Sequence, residues 1–142
     1  MFQKIKNING LVFALVFIVF SCNSKSDIQS EKLNGYWEIS KVTKEDGEII
    51  DYGFNAAVEF FKINNNKGIR KKIYPKFEGK YQADILADSV FITKKNGIYI
   101  LEIKNNQWKT QEEITVLNDS IFGYTSKKGI AFLFKRHKKL KL

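Results

Sequence analysis

The chain has 142 residues, a net charge of +9 from 24 Lys and Arg against 15 Asp and Glu, one cysteine and one histidine. That length suits one domain with its own core. The cysteine count excludes an internal disulfide framework, and with a single histidine it excludes a Cys/His zinc centre.

The first element is a leader. Lys4 and Lys6 give a positive start, and Leu11 to Phe20 is an unbroken apolar run. A membrane-spanning helix needs ~20 apolar residues, about twice this run. A basic start, a short apolar core and a small residue at its end predict a secretory signal over residues 1–21. Val19-Phe20-Ser21-Cys22 resembles the bacterial lipobox, with Phe20 bulkier than the usual residue there. The resemblance implies cleavage between Ser21 and Cys22, a thioether-linked diacylglycerol on Cys22 and an added acyl chain such as palmitate. Two or more chains fit the physics, since one alone holds a membrane only marginally. Asn23 is not the Asp of inner-membrane retention signals, and only Asp27 is acidic in the stretch just after Cys22. The resemblance therefore implies an outer-membrane address, the periplasmic side favoured over the surface. Export argues against the nucleic-acid partner that a basic chain often suggests. The charge instead suits anionic lipid or an acidic envelope protein.

Residues 22–32 are polar and charged, the composition of a tether. From Leu33 the chain reads as strand, turn, strand. Tyr36 to Lys44 is a strand ended by Asp46-Gly47, and Ile49 to Ala57 is the one place for a short helix. Val58 to Ile63 is a strand ended by Asn64-Asn65-Asn66. The basic run Lys67 to Lys72 leads into a strand that Pro75 terminates, and it reads as one solvated strand face. Strands follow over Tyr81 to Leu86, Val90 to Lys94 and Ile98 to Ile103, the last two joined by Asn96-Gly97, the strongest hairpin signal in the chain. Glu112 to Leu117, Ile121 to Thr125 and Ile130 to Arg136 complete the series. Many short strands with short connections predict an all-β, antiparallel up-and-down meander of about eight to ten strands. Closure into a barrel removes its exposed edges.

Gly35-Tyr36-Trp37 at the opening strand resembles the Gly-x-Trp signature of lipocalins and lipocalin-like domains, and Arg136 after the last strand matches their terminal arginine. The resemblance spans nearly the whole mature chain, although the middle lipocalin motifs are not evident. It implies that Arg136 packs across Trp37 to close one end of the barrel. It also implies a cup that binds a small apolar ligand. Small barrels can equally be filled by their own side chains, and Trp37, Trp108, six tyrosines and eight phenylalanines follow the leader.

Catalytic chemistry is sparse. His137 lies among cations in Lys135-Arg136-His137-Lys138-Lys139, which makes it a poor base and a poor metal ligand. Glu112 and Glu113 point to opposite faces of a strand. Asp84, Asp88 and Asp119 fall near turns, where Asp is expected on conformational grounds. No enzyme activity, cofactor or metal is expected. The expected organisation is a signal over 1–21, a tether over 22–32, a lipocalin-like β domain over 33–136 and a basic tail over 137–142. The expected role is a lipid-anchored protein carrying a small apolar ligand. The alternative is a filled barrel or sandwich that acts as a protein-interaction or inhibitor module. The tail, with Lys138, Lys139, Leu140, Lys141 and Leu142, is a candidate contact for anionic lipid, against the plainer reading of a solvated terminus.

Overall fold

The computed structural model describes residues 27–138 except 56 and 77–79. Cys22, the leader and residues 139–142 lie outside the described residues. A 3-10 helix, Ser30–Leu33, precedes ten strands: β1 Gly35–Thr43, β2 Ile49–Asp51, β3 Val58–Asn64, β4 Lys67–Pro75, β5 Tyr81–Ala83, β6 Asp88–Lys95, β7 Ile98–Lys104, β8 Lys109–Leu117, β9 Ile121–Thr125 and β10 Ala131–Arg136.

The strands run in the order β10-β9-β8-β7-β6-β4-β3-β1, and β1 pairs β10, so eight strands close into an antiparallel up-and-down barrel. Two short strands sit off the barrel path. β2 extends the wall beside the end of β1, and β5 pairs the last three residues of β4. β4 is thereby shared: Lys67 to Arg70 pair β6, and Ile73 to Pro75 pair β5. The barrel meets the expected fold class, with local differences. Ile49–Asp51, within the one stretch with room for a short helix, is a strand, because it continues a hairpin whose turn is set by Lys44 and Gly47 (Gly47 N–H to Lys44 C=O, 3.0 Å). The strand expected over Tyr81 to Leu86 stops at Ala83, and Ile85 and Leu86 are left exposed in the loop before β6.

Turn chemistry decides the tight connections. Asn65 and Asn66 take positive φ (49° and 63°), as do Asn96 and Gly97 (51° and 77°). Two successive left-handed residues make the hairpin turn whose twist matches the flanking strands. These turns join β3 to β4 and β6 to β7.

One end of the barrel is filled. Trp37, Phe61, Ile63, Val90, Ile92, Leu101, Ile103, Ile114, Phe122 and Phe134 form one buried cluster, with Leu33 of the 3-10 helix closing it. Phe122 packs against Trp37, Phe61, Tyr124 and Phe134 with ring centroids 5.4–5.9 Å apart, within the range favoured for aromatic pairs. Ile28 also packs on this cluster, and Asp27 is held by Lys94 and by the Tyr99 hydroxyl (2.8 Å). Residues 27–32, expected within the tether, are therefore folded onto the barrel.

Candidate functional site

Strand register sorts the side chains of the barrel. Paired residues share a face, so Glu59 opposite Trp37, Arg70 opposite Phe61, Asp88 opposite Arg70 and Glu112 opposite Leu101 all point inward with the core. The barrel interior thus has two halves.

The closed half is built around Trp37, fully buried, whose Nε1–H donates to the Leu33 carbonyl at 2.7 Å. The guanidinium carbon of Arg136 lies 3.8 Å from the Trp37 ring centroid. Its nitrogens donate to the carbonyls of Lys32 (2.8 Å), Asp119 (3.0 Å) and Asn34. Arg136 therefore ties the helix, β1 and the β8–β9 turn together. The glycine of Gly35-Tyr36-Trp37 has a physical reason: its φ is +111°, and a Cβ there would stand 2.9 Å from Arg136 Nη1. Burial lowers the pKa of Arg136, opposed by the Asp119 charge.

The open half is ionic. Arg70 holds Asp88 through Nε (3.1 Å) and Nη2 (2.7 Å), and its Nε lies 3.4 Å from Glu59 Oε2. These three side chains are only 13–20% exposed. Asn105 donates to the other Asp88 oxygen at 2.9 Å. The Glu59 contact is an ion pair without hydrogen-bond geometry, so Glu59 Oε2 is buried without a hydrogen bond, as is Glu112 Oε2. Burial raises the pKa of Glu59, opposed by the charges of Arg70 and Lys72. Tyr124, opposite Ile114 and Phe132, has its hydroxyl pKa pushed far up by burial and then by the charges of Glu59 and Glu112.

A cleft of about 530 Å³ opens beside this group, where β4 parts from β6 to pair β5. Arg70, Lys72, Asp84, Asp88, Leu86 and Trp108 contribute to its walls. Trp108 lies across the Arg70 guanidinium (5.5 Å to the ring centroid) and is 39% exposed. The walls thus combine a flat aromatic, exposed aliphatics and charges of both signs.

Several expectations need correction. The run Lys67 to Lys72 is not one solvated face: Arg70 points into the barrel and is paired twice. Asp88 is not a turn residue but the first residue of β6 and the partner of Arg70. His137 is not a loose member of a cationic tail. Its side chain is 12% exposed, with Nδ1 3.0 Å from Glu38 Oε2 and Nε2 3.1 Å from the Tyr81 hydroxyl. Glu38 also pairs Lys135 (3.1 Å). Burial raises the Glu38 pKa, but its bonds to His137 and Lys135 outweigh this and leave it lowered. Glu59 and Glu112 were missed as neighbours. Only the pairing of β3 with β1 and of β8 with β7 reveals them.

Among the described residues no group of three or more His, Cys, Asp or Glu side chains is placed to hold a metal ion. No helix among them is long and apolar enough to cross a membrane. No protein-family model matches the chain, and no curated protein matches its sequence. Among solved structures, a lipocalin-like protein from Bacteroides uniformis is similar at 12% identity and a TM-score of 0.47, over 75% of this chain and 99% of that one.

Proposed function

We propose that this chain is a lipid-anchored envelope protein whose barrel takes a small amphipathic molecule at its open end. The observation that carries the reading is the cleft beside Arg70, which sets Trp108 and Leu86 against an ionic group inside a closed barrel. An apolar portion of a ligand finds the aromatic and aliphatic wall. A polar portion finds Arg70, Asp88 and the oxygens of Glu59 and Glu112 that lack a hydrogen bond. A buried acceptor left unpaired costs about 1–3 kcal/mol, so a donor that reaches either oxygen recovers free energy. The closed half is occupied by the chain's own aromatics, so the proposed site lies in the open half and its mouth. The proposal places the lipid on Cys22 and the protein in the outer membrane, facing the periplasm.

Native mass spectrometry of the protein purified from a bacterial envelope tests this. A co-purifying molecule of discrete mass, lost in Trp108→Ala while the fold is retained, is the expected result. A bare protein mass that also takes up no amphipathic dye would overturn it.

A second reading rests on a different observation. Ile85 and Leu86 are 95% and 82% exposed in the loop between β5 and β6 at the open end. Apolar side chains this exposed suit a protein partner docking over the mouth. Capture of one envelope protein, abolished by Ile85→Asp, would favour this reading over the first.

A further inference from the structure

The two ends of the barrel are not equivalent with respect to the rest of the chain. The first described residue, Asp27, is fixed at the closed end by Lys94 and Tyr99, beside the β6–β7 turn. The last strand finishes at the same end. Arg136 lies over Trp37, its N–H donates to the Ser120 carbonyl, and the His137 N–H donates to the Tyr36 carbonyl. The chain then continues as Lys138-Lys139-Leu140-Lys141-Leu142. Both the segment leading from Cys22 and the basic tail therefore leave from the closed end. The loops carrying Ile85 and Trp108 belong to the opposite end.

Chain length makes this consequential. Only residues 23–26 separate Cys22 from Asp27. At 3.3–3.6 Å per residue, five steps reach at most about 18 Å. A tether of that reach keeps Asp27, and with it the closed end, within about 18 Å of Cys22.

We propose that the closed end of the barrel is a membrane-docking surface, fitted to the anionic head groups of the bilayer that carries the Cys22 lipid, with the ligand mouth turned away from that bilayer. The inference rests on the lipid-anchor reading above. Charge supports it: Lys67 and Lys95 flank the closed-end turns, and Lys138, Lys139 and Lys141 come next in the chain after the last strand. Basic residues near an anionic leaflet are attracted within a Debye length of its surface. Leu140 and Leu142 supply apolar side chains between those charges. A ligand would then enter from the aqueous side and not by lateral passage from the anchoring leaflet.

The test uses the mature acylated protein in vesicles of phosphatidylethanolamine with phosphatidylglycerol, with an acceptor dye on the lipid head groups. Because the chain's one cysteine is the acylated Cys22, an introduced cysteine is the only free thiol. A donor dye is placed at Lys95→Cys for the closed end, and at Ile85→Cys or Lys128→Cys for the open end. Tilted strands of this length separate the two ends by roughly 15–20 Å in height. Transfer from position 95 is expected to exceed transfer from both open-end positions severalfold. Equal or reversed transfer from an acylated protein overturns the orientation while leaving the anchor standing. An intact mass without acyl chains removes the anchor itself. Lys138→Gln, Lys139→Gln and Lys141→Gln together should reduce transfer from position 95, as should added salt. Unchanged transfer would strike the tail from the docking surface.

Discussion

The closed and open halves of the barrel are lined by the same eight strands yet solve burial in opposite ways. The closed half removes polar groups or satisfies each one. Trp37 Nε1 has the Leu33 carbonyl, and Arg136 donates to three carbonyls. The open half accepts three inward carboxylates, Glu59, Asp88 and Glu112, near one well-buried cation, Arg70, and leaves two oxygens without hydrogen bonds. A region that only had to be stable would not be built this way, because apolar packing of similar volume often does as well or better than buried ions. The contrast separates a half held by apolar packing from a half held by ions.

The largest break in this contrast should come from Trp37→Ala, with a loss of ~3–5 kcal/mol in urea denaturation. Trp108→Ala, at the mouth, should cost under about 1 kcal/mol in the same assay. Comparable losses at the two tryptophans would end the division into a structural and a functional half. Arg70→Ala ranks next, at about 3 kcal/mol near neutral pH, because it strands two buried carboxylates. That loss should shrink on acidification as Glu59, whose pKa burial raises, takes up its proton. A loss independent of pH would mean that the ion group is solvated.

Arg136→Ala should cost about 1–2 kcal/mol through its lost stacking and hydrogen bonds. Combined with Trp37→Ala it should be clearly less than additive, since the two groups touch. Strict additivity in a double-mutant cycle would show that the guanidinium acts on the carbonyls alone.

The smallest effects concern two glutamates with opposite signs. The folded pKa of Glu59 is raised, so its contribution is present below the unfolded value and is lost as pH rises through the folded one. Glu59→Gln should therefore be neutral or slightly stabilising at pH 7. The folded pKa of Glu38 is lowered, so its contribution is present above the unfolded value and is lost as pH falls through the folded one. Glu38→Gln should be mildly destabilising at pH 7 and indistinguishable from the parent in strong acid. Denaturation midpoints across pH 3–8 check both signs.

Local signals made the barrel legible and left the ionic group hidden. Asp46-Gly47, Asn65-Asn66 and Asn96-Gly97 announce hairpins through backbone chemistry carried by two residues each. Gly35, Trp37 and Arg136 form a recognisable set because the left-handed φ, the indole and the guanidinium demand one another. Arg70 gives no such sign. Within Lys67 to Lys72 it is one cation among several, and its inward direction follows only from pairing with Phe61 on one side and Asp88 on the other. A shift of one residue in register would have sent it outward. The short strands β2 and β5 were hard to read for a related reason: three residues carry too little periodicity, and their conformation is set by the neighbour they pair.

The seam between β1 and β10 carries a consequence for how the chain reaches its native state. It joins Trp37 to Arg136, and Glu38 to His137 across 99 positions. Contacts between distant residues form late, because loop closure must precede the gain they bring. The barrel therefore cannot lock until Arg136 and His137 are free to pair.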